Sequence, residues 1–152
     1  MLSFDEVGGP VSDRWIATAE GQHLRGRPTR NTKPELALRC AVHALGLRYR
    51  IHQQVAPRCT PDFILPRHRL AVFVDGCFWH GCPAHTPARF RGPNADQWAK
   101  KINTNRERDL RNNQSAADAG WHVVRVWECE IRRDAVGAAQ RIWAETSRGA
   151  AD

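Results

Sequence analysis

The sequence predicts an α/β sandwich in which a small mixed sheet lies between helices. Three observations predict it. Leu70-Ala71-Val72-Phe73-Val74 is an unbroken apolar run, the pattern of a central strand covered on both faces. The stretches from Asn94 to about Ala119 and from Asp134 to Thr146 carry apolar residues at helical spacing. Elements along the chain read helix, three strands, helix, strand, helix, an interleaving that favours a sheet covered by helices.

The 152 residues suit one domain with a hydrophobic core and are too few to suggest two. No apolar run approaches the roughly 20 residues needed to cross a bilayer. The opening MLSFDEVGGPVSDR lacks the charged and apolar regions of a signal peptide, so a cytoplasmic protein with no membrane contact is expected. Lys and Arg number 23 against 16 Asp and Glu, giving a formal charge of +7. With six tryptophans, that basic balance points to a polyanionic partner, nucleic acid first. Five cysteines, an odd number, read in a reducing compartment as thiols or metal ligands rather than disulfides.

Residues 1–31 mix Gly, Pro, Ser and Arg without periodicity and are read as a flexible basic arm, with Arg25, Arg27 and Arg30 able to track phosphates. Residues 32–152 form the single folded domain. Thr32, Lys33, Pro34 and Glu35 open a helix: Thr32 caps it, Glu35 closes a capping box, and Pro34 fits the first turn. Leu36, Cys40 and Leu45 fall near one face, with Cys40 expected as a small buried apolar residue, and Gly46 supplies the stop. Leu47 to His52 alternates as a half-buried strand. Asp62 to Leu65 is a short strand, Pro66 to Arg69 a turn, and Leu70 to Val74 the central strand ending at Asp75-Gly76. Trp98, Ile102, Leu110 and Ala117 mark the apolar stripe of the long helix, opposite Lys100, Lys101, Arg106, Arg108 and Arg111. Gly120 closes that helix, Trp121 to Trp127 is the last strand, and Val136, Ile142 and Trp143 mark the final helix.

Chemistry concentrates between Pro61 and His85. Cys77, Cys82 and His85, with distant Cys129, make a Cys3His set suited to tetrahedral zinc in a closed, structural site. Buried thiols and an ordinary loop histidine are the plainer alternative. Asp62 and Asp75, brought together by a hairpin, form a carboxylate pair of the kind that holds Mg²⁺ against phosphate oxygens; singly, each is as well explained as a turn former. His80 suits a general base for water, or a substitute zinc ligand in place of Cys77 or His85. Phe78-Trp79 reads either as a cover over the zinc site or as a wedge pushed between base pairs.

Together these motifs resemble the very short patch repair (Vsr) mismatch endonucleases of the restriction-endonuclease-like superfamily. The likeness runs through TRNTKPELALR, PDF, VFVDGCFWHGCPAH, the pattern Trp98, Lys101, Asn105, Arg108 and Asp109, and GW-V-VWECE. The resemblance implies a restriction-endonuclease-like sandwich with an embedded structural zinc. It also implies Mg²⁺-dependent nicking of double-stranded DNA beside the thymine of a T:G mismatch left by deamination of 5-methylcytosine.

Carried over by resemblance, Asp62 is the principal Mg²⁺ ligand, His80 the base and Glu35 a further acid at the site. Cys77, Cys82, His85 and Cys129 hold zinc, Phe78 and Trp79 intercalate, and Lys101 and Asn105 face the mismatched bases or nearby phosphates. Three departures stand out. Cys77 occupies the position where the superfamily pattern expects Lys. Asp75 is acidic where the best-known members are not, so either its carboxylate or the Val74 carbonyl completes the Mg²⁺ site. Leu24 stands where a methionine wedge is expected. A monomer is the expected state, with mismatch-repair proteins as a candidate partner class. A zinc-stabilised DNA-binding module without catalysis, and a nuclease of the same fold with another DNA target, are the alternatives.

Overall fold

The computed structural model describes residues 31–80, 82–85 and 90–151. Its elements are α1 (Lys33–Ala44), β1 (Arg50–Ile51), β2 (Phe63–Leu65), a 3-10 turn (Pro66–His68), β3 (Leu70–Asp75), α2 (Cys77–His80), α3 (Ala95–Asp118), β4 (His122–Trp127), α4 (Glu128–Arg133) and α5 (Ala135–Ala151). The four strands form one mixed sheet in chain order. β1–β2 and β2–β3 are antiparallel, whereas β4 joins β3 in parallel after the crossover through α3. A parallel partner needs such a crossover, and the long helix supplies it.

Helices cover both faces of this sheet, as the sequence predicts. Phe63, Leu65, Leu70, Val72, Val124 and Val126 point to one side, where Leu38 and Val42 of α1 and Ala138, Ala139 and Ile142 of α5 meet them. The alternate residues Ile64, Ala71 and Phe73 point to the other side, against Ala116 of α3 and the loop residues Ala56 and Cys59. Strand alternation thus feeds two cores from one sheet. No helix among the described residues is long and apolar enough to cross a membrane.

The packing corrects several expected faces. Leu36, Leu45, Leu110, Val136 and Trp143 are all exposed, and so is Cys40. In α1 the buried stripe is instead Pro34, Glu35, Leu38, Arg39 and Val42. A stripe carrying Glu35 and Arg39 is invisible to a count of apolar residues. β1 is also shorter than the alternation predicts, because His52 adopts a left-handed conformation (φ 51°) that ends the strand.

The junction between α3 and β4 depends on Gly120. Its φ of 90° lies in the left-handed region, and a Cβ there would stand 2.9 Å from Nη2 of Arg69. Arg69 fills that space, with Nη2 donating to Ala119 O at 2.9 Å and its guanidinium 4.5 Å from the Trp121 ring centre. Residues 1–30 of the arm, including Leu24, Arg25, Arg27 and Arg30, lie outside the described residues. Its last residue, Asn31, accepts a hydrogen bond at 2.8 Å from Arg39 Nη2.

Candidate active site and metal centre

The chain just before β2 brings Asp62 against the end of β3. Its Oδ2 accepts from the Val74 backbone N–H at 2.6 Å, while its own N–H donates to Val72 O at 3.0 Å. Glu35 arrives from the first turn of α1, placed by the capping box: Thr32 N–H donates to Oε2 at 2.8 Å, and Glu35 N–H donates to Thr32 Oγ1 at 3.4 Å. The Glu35 and Asp62 carboxyl groups are near enough for each to act on the protonation of the other. Burial, then the Glu35 contact, push the Asp62 carboxyl up to about 8 against the opposing pull of the Val74 amide. Glu35 shifts down: burial opposes the charge, but the neighbouring Asp62 carboxyl, the bonds to Thr32 and the nearby Arg39 charge outweigh it. The two acids therefore behave as a pair holding one proton.

That pair carries an electrostatic deficit. Glu35 is 3% exposed, and its Oε1 is buried with no hydrogen-bond donor among the described residues. A buried acceptor without a donor is costly, and adjacent carboxylates repel. A hard cation with oxygen ligands answers both. Asp62, Glu35 and the adjoining Val74 backbone are a donor set that fits one.

His80, on the one-turn helix α2, anchors the second cluster. Its Nδ1 stands 2.6 Å from Asp109 Oδ2, on α3, and 3.7 Å from Asp75 Oδ1. A carboxylate only accepts, so Nδ1–H is the donor and Nε2 is left as the basic nitrogen. The His80 side chain is 23% exposed, open enough to meet water or substrate. Asp75 is gripped from β4 by Arg125, whose Nη1 donates to Oδ1 at 2.8 Å and Oδ2 at 3.1 Å. Burial raises the Asp75 carboxyl, with Arg125 the largest influence against it. Asp75, His80 and Asp109 offer atoms close enough for a metal ion. The short His80–Asp109 hydrogen bond and the Arg125 counter-charge also partner those atoms, an arrangement that can serve as a proton relay.

Cys77, Cys82, His85 and Cys129 converge as the spacing predicts, with ligand atoms all within 4.8 Å of one another. Cys82 Sγ lies 3.9 Å from Cys129 Sγ and 3.6 Å from His85 Nδ1. Tetrahedral zinc with bonds of about 2.0–2.3 Å separates its ligands by roughly 3.5–3.8 Å, so these gaps fit an ion and exceed any disulfide. Local turns make the knot: Cys82 N–H donates to Cys77 O at 2.9 Å and His85 N–H to Cys82 O at 3.1 Å. Cys129 comes from the start of α4, directly after β4. Burial pushes Cys77 up to about 12, whereas hydrogen bonds from His85, Ala84 N–H and the other thiols overcome burial and bring Cys82 down to about 7. His80 lies outside this set and remains with Asp109.

Comparison with known proteins gives the family. Residues 17–85 match the model of the family described as DNA mismatch endonuclease Vsr. The type II nicking enzyme V.NaeI of Lentzea aerocolonigenes is 42% identical over 127 residues, covering 81% of this chain and 75% of that protein. The chain belongs to the Vsr family. A second relative, the type II nicking enzyme V.XorIIP of Xanthomonas oryzae pv. oryzae, is 43% identical over 105 residues, 68% of this chain and 74% of its own. The DNA mismatch endonuclease Vsr of Escherichia coli is 34% identical over 124 residues, 80% of this chain and 77% of its own. These relatives are named nicking or mismatch endonucleases, and this Vsr-family chain shares their family.

Of the DNA-contact residues that the Vsr resemblance implies, Lys101 and Asn105 both lie on α3, four residues apart and hence on one stripe. Lys101 is exposed; Asn105 is buried, with Oδ1 accepting from Arg108 Nη2 at 2.9 Å. Phe78 and Trp79 lie in α2 between Cys77 and His80, and their side chains, like Leu24, lie outside what is described. Sequence reasoning gave Asp109 and Arg125 no role. Asp109 could have been found, because 101, 105 and 109 continue one helical stripe. Arg125, a lone cation in an apolar strand, was a weaker but readable signal.

Proposed function

We propose that this chain nicks one strand of duplex DNA beside the thymine of a T:G mismatch left by deamination of 5-methylcytosine, in a Mg²⁺-dependent hydrolysis. The observation that carries the catalytic reading is the buried Asp62–Glu35 pair, lacking a donor for Glu35 Oε1, linked through Asp75 to the His80–Asp109 dyad. Asp62, with Glu35 beside it and the Val74 carbonyl, would hold Mg²⁺. Bound there, the cation supplies neutralisation of the phosphodiester and of the leaving oxygen. Asp109 holds His80 in the tautomer with a basic Nε2. That nitrogen takes a proton as the water oxygen bonds to phosphorus and the bond from phosphorus to the leaving sugar oxygen breaks.

In the same reading, Cys77, Cys82, His85 and Cys129 hold a structural zinc that fixes α2 between two ligands. Phe78 and Trp79 would then be presented rigidly as a wedge, at its least cost where a mismatch weakens stacking. Lys101 and Asn105 would face the opened step. Zinc analysis of purified protein is expected to give one equivalent per chain, lost in Cys82→Ser together with cooperative unfolding.

The deciding experiment mixes strand-labelled T:G and matched duplexes with protein, with and without Mg²⁺. A single nick in the T:G duplex only, and only with Mg²⁺, is expected. Equal cutting of the matched duplex would defeat the mismatch assignment. Binding without cutting would favour a zinc-stabilised DNA-binding module instead.

A further inference from the structure

We propose that Arg125 is a positioning residue for the nicking reaction, clamping Asp75 and Asp109 so that Asp109 alone orients the imidazole of His80. This rests on the reading of His80 as the base.

Arg125 spends its whole guanidinium where three elements meet. Nη1 donates to both oxygens of Asp75 on β3. Nη2 donates to the Asp109 backbone carbonyl at 3.2 Å, and Nε to Asn113 Oδ1 at 2.6 Å, both on α3. The guanidinium carbon sits 4.2 Å from the centre of the Phe73 ring, and the Arg125 carbonyl accepts from Arg141 Nη2 at 3.0 Å. The side chain is 19% exposed, so these contacts are shielded from bulk water. A planar fork with donors on every side makes such a junction; a lysine ammonium carries the charge without the fork.

The consequence falls on His80. Two carboxylates compete for one Nδ1–H, Asp109 at 2.6 Å and Asp75 at 3.7 Å. Arg125 Nη1 also stands 3.6 Å from Asp109 Oδ1. Oδ1 of Asp109 therefore leans on Arg125 while Oδ2 takes the imidazole, which fixes the plane of the carboxylate. Without Arg125, Asp75 would be a buried acid lacking its counter-charge, and Nδ1–H of His80 would be its nearest replacement donor. The ring would swing toward Asp75, and Nε2 would leave the line of attack. Displacements of this size are costly when a base must meet a reacting atom.

The test uses zinc-loaded full-length protein, a T:G duplex bound at saturation, and single-turnover nicking started with Mg²⁺. Arg125→Met is expected to slow the step about tenfold or more, with the duplex Kd within about twofold of wild type. Arg125→Lys should recover only part of the rate. Adding Asp75→Asn to Arg125→Met should recover most of it, because the competing acid is neutralised. Placed in a His80→Ala background, Arg125→Met should slow nothing further. A structural role would instead slow both backgrounds alike and weaken duplex binding in parallel, and that result overturns the proposal, as does an Arg125→Met rate within about twofold of wild type. Should Arg125→Met fail to fold, the Arg125→Lys and Arg125→Met/Asp75→Asn proteins decide the question by the same criteria.

A readout without catalysis separates this proposal from the reading beneath it. The hydrogen-bonded Nδ1–H of His80 should give a downfield proton resonance, assigned by its loss in His80→Ala and shifted or lost in Arg125→Met. If wild-type protein cuts no duplex, the functional reading falls. If that resonance is unchanged in Arg125→Met, the positioning role falls by itself.

Discussion

Asp62 and Asp75 lie on either side of one hairpin, and both are raised by burial, yet their surroundings are opposite. The neighbouring charge group of Asp62 is another acid, Glu35; Asp75 is held at both oxygens by Arg125. An acid beside an acid calls for a proton or a cation. An acid beneath an arginine already has a counter-charge, so its demand for a cation is smaller. In the proposed function, residues of one type, close in sequence, thus divide between holding metal and placing a base.

The sharpest way to break this division is substitution of the two acids in turn. Asp62→Ala is expected to slow nicking by about 10³-fold or more, the rate equivalent of the several kcal/mol that a bound cation contributes to a phosphoryl transition state. Asp75→Asn should cost far less and leave the Mg²⁺ concentration for half-maximal rate unchanged. An equal rise in that concentration for both variants would erase the distinction. His80→Ala should slow the chemical step by about 10²-fold or more with zinc content intact, and loss of zinc would move His80 into the knot.

Smaller effects sharpen the same contrast. Glu35→Gln keeps a capping-box side chain, so thermal stability should hold while the Mg²⁺ requirement rises about tenfold. The least effect is a pH dependence of stability. The folded-state pKa of Asp62, about 8, stands above its ordinary value of 3.8. Its stabilising contribution is therefore full below pH 4 and is lost as pH rises through 8. Zinc-loaded, Mg²⁺-free protein should lose about 3–6 °C in Tm between pH 6 and pH 9, and Mg²⁺ should flatten the slope by replacing the proton. Zinc loading matters, since Cys82, brought down to about 7, would otherwise titrate in that window with opposite sign. Glu35, shifted down from 4.5, titrates below it. A Mg²⁺-independent Tm at both pH values would count against the acid pair as the cation site.

What the sequence by itself determined is what local spacing encodes. The alternation of strands and helices, the apolar run of β3, the capping box at Thr32 and Glu35, and the Cys-x4-Cys-x2-His cluster all depend on nearby residues, and each is present in the structure. The stripes of the helices were less legible. Leu36, Leu45, Leu110, Val136 and Trp143 turn outward, and the buried face of α1 carries Glu35 and Arg39 instead. Polar residues on a buried face hide it from a count of apolar positions.

Only the tertiary structure decided which acid meets which partner. Asp109 reaches His80 across 29 positions, and Arg125 reaches Asp75 across 50. Such contacts arise from the α3 crossover that lays β4 beside β3, pairing Asp75 with Trp127 at the strand ends. Charge and hydrogen-bonding capacity are written in each residue. The partner that completes them is set by the packing of elements far apart in the chain, and no local period records that choice.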